Sequence, residues 1–167
     1  MLAALGLRRL RSPSAKVALV AAAVAECAAV PLPLRMEAPE LPPIYRHLEA
    51  AGDGALLELP LPPPERFQDN ALYVFRSSFH RRPLVNGYSG FVPAGYREVY
   101  ERLRSQPMPE VLSWLSSLGV RLVLVHEGRI GPRLMRETLE AEREGNLILV
   151  GEEPGDRLYR ITVRSSS

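Results

Sequence analysis

The sequence predicts an α/β domain, a small mixed sheet packed with helices and preceded by one N-terminal membrane or signal helix. Three observations carry this. Short apolar runs such as Ala55 to Leu59 (ALLEL) and Arg121 to His126 (RLVLVH) alternate with helical segments, the order expected of α/β folds. The helical segments carry proline at their first turn or glycine just past their end, as Pro109 to Leu118 before Gly119 and Pro132 to Glu144 before Gly145 do. An Ala/Val run, Val17 to Val30, follows a basic start. At 167 residues and 46% hydrophobic content, the chain suits one ordinary domain and excludes wholesale disorder.

In order along the chain, residues 1–16 form a basic cytoplasmic flank with Arg8, Arg9, Arg11 and Lys16. Residues 17–34 are a membrane helix or signal segment. Pro31 and Pro33 stop any helix, and fourteen helical residues reach only about 21 Å against a hydrocarbon core of about 30 Å. Three readings stand side by side. Ala23-Val24-Ala25 matches a signal-peptidase site; Cys27 would be the lipidated residue of a lipoprotein, although Glu26 occupies the place of a small residue; or the run anchors the chain with its positive flank inside. All three put residues 36–167 outside the cytoplasm, periplasmic or at the cell surface, with secretion after cleavage as the alternative. Residues 35–43 read as a proline-rich linker, 44–164 as the extracytoplasmic α/β domain and 165–167 as a tail.

Within the domain, Ile44 to Ala51 reads as a short helix ended by Gly52, and ALLEL as a buried strand. Asp69 to Phe79 fits a helix capped by Asp69, while its aromatic and β-branched residues also permit a strand. Ala94 to Arg104 is an amphipathic helix: Tyr96, Val99, Tyr100 and Leu103 recur on one face, and Glu98 lies four residues before Arg102. RLVLVH reads as a strand buried on both faces. Leu147 to Val150 and Leu158 to Val163 form a hairpin about Glu153-Pro154-Gly155-Asp156.

Charge and motif content exclude several functions. Residues 36–167 carry sixteen arginines against eighteen acids, so the body lacks the positive field of a nucleic-acid binder. One cysteine excludes an internal disulfide and a multi-cysteine zinc site. No G-x-S-x-G, H-E-x-x-H, G-x-G-x-x-G or Walker motif occurs, so the sequence assigns no catalytic residue and no cofactor. Glu58, His80 and His126 could be imagined around a metal ion, but without local ligand spacing no metal site is assigned. His47 reads as a surface residue, and His126 as a strand-end histidine bonded to a nearby carbonyl.

The segment from Arg76 to Gly90 (RSSFHRRPLVNGYSG) is the candidate binding site. It gathers hydroxyls, an imidazole, guanidinium groups and an amide in what reads as a loop, with Arg76, Ser77, His80, Arg82, Asn86 and Tyr88 as candidate contacts. Arginine forks suit phosphate or carboxylate. Asn86-Gly87 signals a tight turn with Gly87 at positive φ, where a side chain would be strained. Arg82 reads as a surface group whose loss leaves folding nearly intact.

Ser77, His80, Pro83, Leu84 and Asn86 to Gly90 fit a pattern S-x-x-H-x-x-P-L-x-N-G-Y-S-G. With the Glu58-Leu59-Pro60 strand end, the Gly119 to His126 strand and Asp156-Arg157-Leu158-Tyr159, this resembles the C-terminal region of large bacterial polytopic membrane proteins related to polyprenyl-phosphate-sugar-dependent glycosyltransferases of the C superfamily. The resemblance covers nearly the whole chain in order. It implies the last membrane helix plus an extracytoplasmic domain, serving lipid-linked sugar transfer in the cell envelope. The many-helix catalytic membrane portion would be the partner, and a lipid-phosphate or glycan the ligand. It assigns no catalytic role to His80 or Asn86, because the acidic residue that acts in such enzymes lies in an early loop with no counterpart here. A free-standing exported or membrane-anchored binding module without enzymatic activity is the alternative.

Overall fold

The computed structural model describes residues 12–27 and 41–162. The chain divides into two units, Met1–Pro39 and Glu40–Ser167. In the first, helix α1 (Pro13–Cys27) carries apolar side chains all round: Val17, Val20 and Val24 lie on one side, Leu19 opposite, and all are exposed. Its 15 residues rise about 22 Å, and among the described residues no helix is long and apolar enough to cross a membrane. Most of the basic flank, the proline-rich linker and the tail lie outside the described residues.

The second unit is a mixed four-stranded sheet in the order β1-β2-β4-β3, formed by β1 (Ala55–Leu59), β2 (Val120–His126), β3 (Leu147–Glu153) and β4 (Asp156–Ile161). β1 and β2 are parallel, with Leu59 opposite Val125; β4 runs antiparallel to β2, with His126 opposite Asp156. β3 and β4 make the expected hairpin, but β3 runs on past Val150 to Glu153, and β4 starts at Asp156 and ends at Ile161, displaced towards the turn from the expected Leu158 to Val163. The helices are α2 (Ala71–His80), α3 (Ala94–Ser105), α4 (Met108–Ser117) and α5 (Pro132–Arg143), with 3₁₀ helices at Pro43–Leu48 and Pro64–Asn70.

Side chains alternate across a strand, and this divides the core in two. Leu57, Leu59, Val123 and Val125 face the larger core with Val99, Leu103, Val111, Leu112, Leu115 and Ala141 of α3 to α5. Leu56, Leu122, Leu124 and Leu158 face the smaller one, covered by Ile44, Tyr45 and Leu48 of the first 3₁₀ helix. The same parity puts Glu58, His126 and Asp156 on the smaller face, at the carboxyl ends of β1 and β2. Gly151 of β3 lets this cover pack closely, since a Cβ there would stand 2.7 Å from His47.

β1 is an edge strand, and the segment after α2 closes it. Leu56 donates to Pro83 O at 2.8 Å and accepts from Val85 N–H at 2.9 Å. The pairing is a short parallel bridge that leaves no open edge at Leu56.

Several expectations are corrected. Arg76, Ser77 and His80 stand on α2, not in a loop, so the ambiguous segment is helical. Asp69 does not cap it; Asp69 pairs with Arg66 at 2.6 Å, and Asn70 precedes the helix without a side-chain cap. Gly87 is not at positive φ, whereas Arg81 is, at 55°, as it ends α2. A Cβ at Gly87 would meet nothing within 4 Å; the turn around Asn86 is held by the bonds of its buried amide to the Glu58 backbone instead of by a left-handed glycine.

Among the positive-φ glycines of the described residues, the one with no room for a side chain is Gly54, with φ at 125° and a Cβ position 2.5 Å from Arg121 Cβ. Gly54→Ala is expected to cost about 1–3 kcal/mol. Gly87→Ala should change stability by no more than about 0.5 kcal/mol. Denaturant unfolding of the two variants checks the contrast, and equal losses would refute it.

Candidate functional site

Glu58 is fully buried, and its Oε2 is the meeting point of the smaller face. Tyr45 Oη donates to it at 2.5 Å and His126 Nε2 lies 3.1 Å away. His126 Nδ1 in turn bonds Asp156 Oδ1 at 2.6 Å. A carboxylate taken from water is costly unless it is paired and hydrogen-bonded; here both contacts fall on Oε2, while Oε1 is buried without a hydrogen-bond partner among the described residues. His126 is therefore held by two carboxylates, not by the carbonyl that a strand-end position suggested.

Aromatic rings sandwich the chain. Tyr73 of α2 stacks on His126, with centroids 5.6 Å apart and planes 4° from parallel, and the Arg129 guanidinium lies 5.5 Å over the Tyr73 ring. His80 stacks on Tyr45 at 5.5 Å, and Arg76 lies 5.7 Å from the Tyr45 centroid. Burial first, then the charge and hydrogen bond of Glu58, hold the Tyr45 phenol far above the ordinary phenol range. Burial raises Tyr73 as well, against the pull of Arg129.

Asn86 is the second anchor. Its Oδ1 accepts from Glu58 N–H at 2.7 Å and its Nδ2 donates to Glu58 O at 2.8 Å. The side-chain amide thus acts as the next residue of an edge ladder whose first rung is the backbone of Pro83 and Val85. Asn86 is fully buried, not a solvent-facing turn residue. The polar chain runs on through Asn70, whose Nδ2 donates to Tyr96 Oη at 2.8 Å, to Pro62 O, which Tyr96 reaches at 2.6 Å. Burial pushes the Tyr96 phenol up to about 12.

The six candidate contacts therefore separate. Arg76 and His80 gather around Tyr45. Arg82 sends its guanidinium to the carbonyls of Leu48 and Gly52, so it ties down the first 3₁₀ helix rather than standing free, and the expectation of a purely surface group is corrected. Ser77 Oγ bonds back to Val74 O at 2.7 Å within α2. Tyr88 is exposed, its ring 5.9 Å from Phe67. Tyr45, His80, Arg82, Arg46 and Phe79 line a cavity of about 200 Å³.

Chemically, the Asp156–His126–Glu58–Tyr45 chain is locked. Both nitrogens of His126 are engaged by carboxylate oxygens, and Tyr45 stays protonated as a donor. Among the described residues no three His, Cys, Asp or Glu side chains are disposed to hold a metal ion. Glu58 and His126 do meet, but His80 lies across the Tyr45 ring from them. Sequence reasoning missed Tyr45, Tyr73, Asp156 and Arg129. The signal available was a single acid within ALLEL and a histidine ending RLVLVH, both on the parity of the smaller face.

His47, expected at the surface, is half-buried and bonds Glu153 at 3.1 Å. His80 accepts the Arg82 N–H at Nδ1, 3.2 Å away, which leaves the ring proton on Nε2, a buried atom with no partner. Burial holds its imidazole below the ordinary value, reinforced by Arg82 and opposed by Glu58. Protonation is thus easier in the unfolded chain, and stability is lost as pH falls below about 6.5. His80→Phe keeps a ring on Tyr45 and removes this titration. Its melting temperature should fall less than that of the parent chain between about pH 7 and about pH 5. Parallel falls would show that His80 is not held neutral.

Among known proteins no family model matches this chain, and no curated protein or solved structure is significantly similar to it.

Proposed function

We propose that the body of this chain is an accessory extracytoplasmic domain of a membrane glycosyltransferase-like protein, serving lipid-linked sugar transfer in the bacterial cell envelope without carrying the catalytic residues itself. The observation that supports the reading is convergence. The pieces that carry the motif resemblance are scattered through the sequence: the Glu58-Leu59-Pro60 strand end, the His80 to Gly90 segment, the strand ending in His126, and Asp156 at the start of the last strand. In the fold, Glu58 bonds His126, His126 bonds Asp156, and Asn86 clamps the Glu58 backbone. Residues shared with the family pattern thus form one buried polar anchor, as the shared frame of such domains would require.

On this reading Val17 to Leu34 anchors the chain in the membrane, and the many-helix portion of the transferase is its partner. Arg76, Ser77, His80, Arg82, Asn86 and Tyr88 remain the candidate contacts for a lipid-phosphate or glycan. Arg82 and Asn86 would act by shaping the surface, since their polar groups already serve the backbone. A second reading, an exported or membrane-anchored interaction module, has its own support. Phe75 and Phe79 form an exposed edge-to-face pair 5.4 Å apart on α2, and Phe91 and Tyr88 are exposed in the loop that follows. Exposed aromatic clusters mark contact surfaces.

Fusions at Ser167 test the location common to both readings. Alkaline phosphatase, active only outside the cytoplasm, should be active, and green fluorescent protein dark; the reverse would sink both. Sugar transfer then separates them, and the mass of the mature chain tells an exported form from an anchored one. An uncleaved N-terminus and lowered sugar transfer from polyprenyl-phosphate donors in membranes lacking the chain are expected for the accessory domain. A chain beginning at Glu26, with transfer unchanged, supports the free module.

A further inference from the structure

We infer that the cleft beyond the carboxyl ends of the parallel strands β1 and β2 binds a phosphate ester of a small hydroxylated molecule, with Arg129 as the group that holds the phosphate. The cleft, about 250 Å³, is walled by the Pro60 to Pro63 segment that follows β1 and by Arg66, Asp69 and Arg129. It lies apart from the cavity beside His80 and Arg82, and none of the six sequence-derived candidates lines it.

Four features carry the inference. The loops that leave the carboxyl ends of neighbouring parallel strands are where open α/β sheets receive ligands. Here Pro60 follows β1 directly, and Arg129 sits in the turn after β2, its N–H and that of Ile130 both bonded to His126 O at 3.0 and 3.1 Å. Second, Arg129 is presented without a carboxylate: among the described residues no salt bridge or side-chain hydrogen bond engages it, whereas Arg66 in the same cleft is paired with Asp69 at 2.6 Å. Third, its guanidinium rests over Tyr73, which is itself stacked on the His126 ring fixed between Asp156 and Glu58. Arg129 itself is exposed, and this stack gives its guanidinium a fixed aromatic platform; a guanidinium so placed loses less freedom when it takes an oxyanion with two parallel bonds. Fourth, the remaining lining suits the rest of such a ligand. The proline and leucine surface offers apolar contact to the carbon faces of a polyol or sugar, and Asp69, neutralised by Arg66, offers an acceptor to a hydroxyl.

The test uses the full-length chain and two probes, glucose 1-phosphate in solution and vesicles containing phosphatidic acid, with glucose alone as the uncharged control. The proposal expects the Arg129 side-chain Nε–H signal to shift with one phosphate probe and not with glucose. Arg129→Gln should weaken that binding about tenfold or more, since a hydrogen-bonded charged group is lost. Arg136→Gln, an exposed arginine of α5 outside the cleft, should bind as the parent does. Should Arg129→Gln not fold, Arg129→Lys keeps the charge over Tyr73, removes the fork and carries the same expectation. Response to glucose 1-phosphate identifies a soluble phosphate ester, and response to vesicles alone a lipid headgroup; either supports the site. An Arg129 signal unmoved by both probes, or binding that survives loss of the fork or weakens equally in Arg136→Gln, overturns it.

Discussion

A carboxylate with no exposure to solvent governs this domain. Glu58 sits on an edge strand, inside the smaller of two cores, where an unpaired charge would cost several kcal/mol. Each neighbouring element supplies part of its compensation. The first 3₁₀ helix brings the Tyr45 hydroxyl, β2 brings His126, β4 brings Asp156 to fix that histidine from behind, and the segment after α2 brings Asn86 to serve the Glu58 backbone. Because these groups come from distant parts of the chain, partnering the backbone and one side-chain oxygen of this buried acid fixes the mutual placement of four elements. Apolar burial drives the packing, and the polar chain selects which arrangement is packed.

The same anchor orders its surroundings. Tyr73 and His80 stack on the rings of His126 and Tyr45, so α2 docks through aromatic faces while Phe75 and Phe79 point outward. Arg129 and Arg76 lie over Tyr73 and Tyr45, two cations placed near a cluster rich in carboxylates. The consequence is a rigid floor at the carboxyl ends of β1 and β2, with cations and apolar surface above it. Such a floor suits presentation of a ligand or partner surface.

Much of the architecture was legible because local pattern and tertiary need agree. ALLEL and RLVLVH are strands for the reason read from them, continuous burial, and α3 shows the face and the Glu98–Arg102 pair that its spacing marks. Asn86-Gly87 was misread for a physical reason: asparagine followed by glycine is a turn signal in an exposed loop, but here the amide replaces a strand at the β1 edge. Arg82 likewise carries no local sign that two carbonyls some thirty residues earlier will claim its guanidinium. The polar anchor was half visible, in an acid and a histidine that interrupt apolar strands. Its other half, Tyr45 and Asp156, depends on strand register and on the cover of the smaller face, which no local pattern encodes.

The claim that Glu58 and His126 act as one unit is tested most directly by a double-mutant cycle on unfolding free energy, with Glu58→Leu, His126→Leu and the double variant. If the buried pair is the organising interaction, each single change strands the other group. The double variant should then lose less than the two singles together, by about 2 kcal/mol or more. Losses that add to within about 0.5 kcal/mol would contradict the account, since independent sites behave in that way.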